Sequence, residues 1–507
     1  MVGNRGCIAI VRGKIKEARR EQLNTDTVKK RHGITVFALL GLVILVGPLL
    51  IACARSAAPA TIVQAGQLQT SPAGAQPSGW DTAESVRGGL KLVATYDSSG
   101  PDAWKAADHP MVYITSEGMG YRHRPAKTTV HPGVQVIDAN TKKVVTSALF
   151  DLGGTPEMQP HGLAVSPDGK WLYIGFQDKL ASGEIRSRTL IINARTLKLD
   201  KILKQEGYKD GKGALVEERL HHSGAFTDWQ GRDRVILTYG FGAMGGPHFT
   251  LDPKDNNRVV RAITYDDVRP MGHPYTAPDP TGKFIYVSMG ANWIREAESK
   301  VAAVAKLNLE TGNVTVIEGV GNHPIGISHT ADGKYTYVND GSNSLVYKID
   351  NVTNKVVGHT SSGVAGPYGN RLSWDEKRLY IIGKGEGSHN TGGVVGSIDL
   401  IKFRPDDSFD QPINIGGSIM DHGILHPDPK LNELWVSSAG TWETIVLDLN
   451  TNKVKARIPS PNGGDTHSGG FVRYSPDWKG ELLFDMFGPQ KAAYETMRTM
   501  AAAATKK

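Results

Sequence analysis

"ADGKYTYVNDGSNSLVYKIDNVTNKVVG", residues 331–358, decides the fold. A turn at Ala331-Asp332-Gly333 and a basic residue, Lys334, lead into an alternating strand from Tyr335, and small residues end it near Gly341. Residues 346–358 then form a hairpin, two alternating apolar segments around a turn at Thr353-Asn354.

The unit recurs. "PDGKWLYIG" (167–175), "PTGKFIYVSMG" (280–290) and "DEKRLYIIGKG" (375–385) repeat the turn and strand, while "VQVIDANTKKVV" (134–145) and "IVLDLNTNKVKARI" (445–458) repeat the hairpin. Four strands per unit, at a spacing of about 45–60 residues, make a β-propeller blade. With 59 Gly and 27 Pro in 507 residues, long helices are excluded over most of the chain. The expectation is an all-β, seven-bladed propeller over 89–490, with first strands near residues 161, 222, 273, 323, 368, 422 and 467. Strands from 90–150 pair with C-terminal ones to close the ring; an eighth blade is the alternative, if the N-terminal strands form one alone. An Ala-rich tail, 491–507, reads as helical.

Residues 1–32 carry nine Lys/Arg against three acids, so a net +6 of the chain's +7 sits there, and the remainder offers no footprint for nucleic acid. An uncharged run, "GITVFALLGLVILVGPLLIAC" (33–53), follows this basic head and is long enough to span a bilayer core. That order directs the rest of the chain across the membrane. Leu50-Ile51-Ala52-Cys53 resembles the lipobox of bacterial lipoproteins, which implies cleavage before Cys53 and a lipid anchor; an uncleaved signal anchor is the other reading. Either way 1–53 tethers an extracytoplasmic, periplasmic domain to the membrane. Residues 54–88, rich in Ala, Pro, Ser, Gly and Gln, read as a flexible tether. The only cysteines are Cys7 and Cys53, so the folded part has no disulfide, thiolate site or Cys nucleophile.

The starts of the first strands share a residue type. His161, His222, His273, His323, His422 and His467 stand at six of seven starts, and Tyr368 at the seventh, in a chain with 16 His overall. First strands line a propeller's channel, so the six imidazoles converge on one mouth. A repeated capping role would explain any one of them. Six together point to a bound cation, since crowded imidazoles lose hydration unless something bonds to them. Imidazole ligands without thiolate suit copper, zinc, iron or nickel, copper(II) binding most tightly.

Residues 331–358 closely resemble the YVTN repeat of β-propellers. The histidine pattern resembles nitrous oxide reductase-like propellers, and within them the thiocyanate dehydrogenase type of exported copper enzyme, since no Cys-containing second domain is present. The resemblance implies a multinuclear copper centre on the six His, a small inorganic or sulfur/nitrogen substrate such as the thiocyanate anion, and an external electron acceptor such as a cytochrome. Glu117, Arg122 and Lys127 are the expected catalytic groups, a carboxylate to orient a ligand or take a proton and cations to hold an anion. His123, Arg124, Trp293, Arg295, Glu296, Glu386, His389, Trp442 and Glu443 are further loop candidates on the same face. His221, beside His222, either points away from the axis or adds a further ligand, and Asp421 and Asp465 stand as orienting partners. Two other classes stay open: a lactonase-like propeller hydrolase, and a non-catalytic YVTN propeller that binds partners at the envelope.

Overall fold

The structure is a computed structural model describing residues 61–63, 80–84, 91–97, 110–115, 133–151, 155–158, 162–183, 185–205, 220–239, 248–263, 275–290, 302–385, 393–405, 408–460, 466–467 and 469–505. Its strands form seven antiparallel sheets, the seven blades of a β-propeller. Blades 1–7 are numbered by their first strands: Leu163–Val165, Leu220–Thr227, Thr276–Pro278, Pro324–His329, Pro367–Leu372, Met420–Leu425 and Gly469–Tyr474.

Two turn designs explain the repeat. After six of the seven first strands a Ser, Thr or Asp side chain ties the turn, and in blade 6 His426 Nδ1 does so, accepting the Asp428 N–H at 3.0 Å. Ser166 Oγ accepts the Trp171 N–H at 2.9 Å, Asp279 Oδ1 the Phe284 N–H at 2.8 Å, and Ser373 Oγ the Arg378 N–H at 3.0 Å. In the outer hairpin an Asp or Asn caps the turn: Asp138 Oδ1 accepts from Asn140 and Thr141, both at 2.8 Å, and Asp350 and Asp448 repeat the pattern. Packed apolar faces of neighbouring blades form the core, whose largest buried side chains include Trp435, Tyr113, Tyr173 and Phe249.

Blade 7 closes the ring, and the described residues form no eighth blade. Gly469–Tyr474 pairs with Met111–Thr115, in register Gly469↔Ile114 and Phe471↔Val112, and Gly133–Asp138 and Lys143–Asp151 complete that blade. Gly480–Asp485, the second C-terminal strand, does not take the second position of the blade, because Met111–Thr115 holds it. It pairs instead with the other edge of Gly469–Tyr474, on the axial side, and plugs the channel. Asp485 Oδ2 accepts the Ala225 N–H of blade 2 at 2.7 Å, and Met486 O accepts the Tyr275 hydroxyl beside blade 3 at 2.6 Å and the Arg371 guanidinium of blade 5. A C-terminal helix, Lys491–Thr505, follows and buries Ala493, Tyr494 and Met497. It lies at the turns after the first strands, where the Arg498 guanidinium donates to Ala331 O at 2.8 Å.

The range 54–88, read as a tether, contributes two short edge strands, Thr61–Val63 on blade 3 and Trp80–Glu84 on blade 1; Lys91–Asp97 joins blade 7. The basic head, the apolar run and Cys53 lie outside the described residues. Among the described residues no helix is long and apolar enough to cross a membrane.

Candidate metal centre

β-bulges interrupt four of the first strands, at Gly326 in blade 4 and, bearing on this site, in blades 2, 5 and 6. In blade 2 the register jumps between Leu220↔Tyr239 and Ser223↔Leu237, so His221 and His222 together oppose one residue. Blade 5 does the same at Tyr368-Gly369 and blade 6 at Asp421-His422. A bulge bends the strand and re-aims its side chains, and here it does so at the mouth of the channel. Gly369 lets blade 6 approach: a Cβ there would lie 2.8 Å from Asp421 O and 3.2 Å from His422 Cα.

The result is a buried trio. One ring nitrogen each from His222, His422 and His467 lies within 4.8 Å of the others, and the three side chains are 0–2% exposed. Ring centroids are 5.0 Å apart for His222–His422, 4.8 Å for His422–His467 and 5.7 Å for His222–His467. Burial, then the neighbouring His467 and His222 rings and the more distant Arg371 and Lys384 charges, push the His422 imidazole far below its ordinary pKa. It is therefore neutral at physiological pH, the form that binds metal.

A carboxylate orients the trio. Asp421 Oδ2 accepts from His467 Nδ1 at 2.9 Å, and Oδ1 takes Lys384 Nζ at 2.5 Å. Burial alone would raise the Asp421 carboxyl, but Lys384 and His467 outweigh it and hold the pKa at about 2. An ionised Asp421 can only accept, so His467 carries a proton on Nδ1, which leaves Nε2 as the nitrogen whose lone pair can face a metal. Two tyrosines wall the site. Tyr368 brings its hydroxyl 3.2 Å from His222 Nε2, and Tyr275 stands 5.2 Å from His222 and 5.8 Å from His422, ring to ring. Lys384 Nζ sits 3.9 Å over the Tyr368 ring.

The fit to a metal ion rests on His422. Neither of its ring nitrogens has a hydrogen-bond partner among the described residues, although the side chain is 2% exposed. A buried imidazole in that state is costly, and a coordinated cation removes the cost. Three imidazoles, one of them braced by a carboxylate, match the donor set of a first-row transition ion.

The sequence candidates divide as follows. His222, His422 and His467 come together. His323 is buried; its backbone N–H donates to Asp340 Oδ1 at 3.0 Å and its ring lies against Gly341, outside the trio. The His221 ring lies 3.7 Å from that of His222, tilted by 47°, and does not join the three. Asp421 orients the His of the neighbouring blade, not its own neighbour His422. Glu443 is held by Arg457 at 2.5 Å, and Trp442 is 40% exposed. His161, His273, Glu117, Arg122, Lys127, His123, Arg124, Trp293, Arg295, Glu296, Glu386, His389 and Asp465 lie outside the described residues. Sequence reading missed Lys384, Arg371 and Tyr275. Lys384, a cation closing the apolar strand Arg378–Gly383, was the one signal available.

No protein-family model and no curated protein matches the chain. Among solved structures it is similar to the dihydro-heme d1 dehydrogenase NirN, at 14% identity over 71% of this chain and 74% of that one, with a TM-score of 0.43. It is similar to a functionally unknown protein from Desulfotomaculum acetoxidans, at 12% identity over 70% and 99%, with a TM-score of 0.46. Hydrazine synthase from Kuenenia stuttgartiensis gives 17% identity over 65% and 92%, with a TM-score of 0.42. None of these likenesses bears on what this chain does.

Proposed function

We propose that the chain is an exported, membrane-tethered copper oxidoreductase acting on a small inorganic or sulfur/nitrogen species, an anion such as thiocyanate, at the histidine-lined mouth of the propeller. The observation that carries this reading is the convergence of His222, His422 and His467, buried, with His422 lacking any hydrogen-bond partner among the described residues. Copper, when bound, supplies a one-electron couple that a separate carrier such as a cytochrome re-oxidises. Asp421 fixes the donor nitrogen of His467, and Lys384 holds Asp421 ionised. Tyr275, its hydroxyl held by Met486 O of the plug, turns its ring to His222 and His422. Glu117, Arg122 and Lys127 are proposed to meet the substrate there, the cations holding an anion and the carboxylate moving a proton. His161, His273 and His323 are proposed to extend the trio to a multinuclear centre.

Metal analysis of protein purified from the periplasm tests this. Copper should be present at more than one ion per chain and should fall with His422→Gln. Protein without copper, unable to take it up from solution, overturns the reading; one ion per chain, lost with His422→Gln, restricts the site to the trio.

A further inference from the structure

We propose that Tyr368 is the fourth donor of the metal centre, its phenol oxygen binding the same ion as His222, His422 and His467; this rests on the metal reading above. Tyr368 is fully buried and occupies, in blade 5, the register that carries His in the other six blades. Being longer than His, it crosses the channel from blade 5 to bring its hydroxyl 3.2 Å from His222 Nε2 of blade 2, and its ring centroid is 5.1 Å from His422 and 6.5 Å from His467. The bulge at Tyr368-Gly369 re-aims the Tyr368 side chain, and the absence of a Cβ on Gly369 lets His422 of blade 6 pack beside it.

The other phenol is committed elsewhere. Tyr275 donates its hydroxyl to Met486 O at 2.6 Å, so it faces the plug and offers the trio only its ring. Charge balance points the same way. A divalent ion among three neutral imidazoles is a large buried charge, and burial without an anion is expensive. Asp421 already offsets Lys384 at 2.5 Å and cannot serve a second cation fully. A phenol oxygen that releases its proton to solvent on binding brings one negative charge to the ion itself. Three nitrogens and one oxygen then complete four-coordination, leaving room for a substrate as a fifth ligand.

The test is a copper(II) titration of the purified exported chain, read by visible absorption and by metal content, on the native protein and on Tyr368→Phe and Tyr275→Phe. Phenylalanine keeps the ring under Lys384 and removes only the oxygen. The proposal expects a phenolate-to-copper(II) charge-transfer band that grows with bound copper, persists in Tyr275→Phe and is lost in Tyr368→Phe although that variant still takes up copper. Copper bound without such a band, or a band that survives Tyr368→Phe, overturns the Tyr368 assignment and leaves the metal reading standing. No copper uptake by the native chain overturns both.

Discussion

Asp421 bridges two blades: its carboxylate holds His467 Nδ1 of blade 7 at 2.9 Å with one oxygen and Lys384 Nζ, which closes the second strand of blade 5, at 2.5 Å with the other. All three side chains are 0–4% exposed. The pair of bonds fixes the His467 tautomer and brings a cation and an anion together where neither could stay alone.

Asp421→Asn should therefore fail twice. Copper binding should weaken by about 10–100-fold, the usual cost of losing a partner that orients a ligand histidine. The metal-free protein should lose about 3–5 kcal/mol, because Lys384 is left buried without its counter-charge. Competition with a chelator and urea unfolding measure the two effects. Unchanged copper affinity would show that Asp421 does not orient a ligand.

The channel plug rests on a glycine. A Cβ on Gly224 would lie 2.3 Å from the Phe487 ring and 2.8 Å from Asp485 Oδ2. Gly224→Ala should force the plug to shift, at an overpacking cost of about 1–3 kcal/mol. Hydrogen exchange should rise over 480–505, while the outer strands of the blades keep their protection. Exchange unchanged in that segment would mean that the plug is not seated against blade 2.

Glu376 should set a pH dependence far from the centre. Burial raises its carboxyl to about 7, against 4.5 when free, although the Ala331 N–H bond at 2.5 Å pulls the other way. Between those two values the folded state holds a proton that the unfolded state has lost. Stability therefore falls as pH rises from about 4.5 to about 7, by up to about 3 kcal/mol at roughly 1.4 kcal/mol per pKa unit. Glu376→Gln keeps the acceptor for Ala331 and should flatten that slope. Urea melts at pH 5 and pH 8 decide, and equal slopes in the two proteins would contradict the assignment.

The fold was legible because its signals are local. Six blades announce themselves by a turn that their own Ser, Thr or Asp ties, and blade 6 by one tied at His426, so the seven first strands fall where the repeat puts them. Closure of blade 7 followed from edge pairing. The fate of Gly480–Asp485 was not legible, because that strand reads like any second strand and only the prior claim of Met111–Thr115 sends it into the channel. At the site, His222, His422 and His467 were visible as a register. Their distances depend on bulges that nothing but Gly369 hints at, and the pairing of Asp421 with a His 46 residues away depends on blades meeting in space. Lys384 and Arg371 look like ordinary strand residues until their burial is seen.

The most direct test of the metal centre is diffraction from copper-loaded crystals, collected on both sides of the copper absorption edge. An anomalous peak should appear between His222, His422 and His467, about 2.0–2.1 Å from one nitrogen of each ring, the usual distance for metal–imidazole bonds. His422→Gln crystals treated identically should lose that peak while the blades superimpose. Copper-loaded native crystals without density among the three rings, or with copper only on exposed histidines such as His359, would contradict the account.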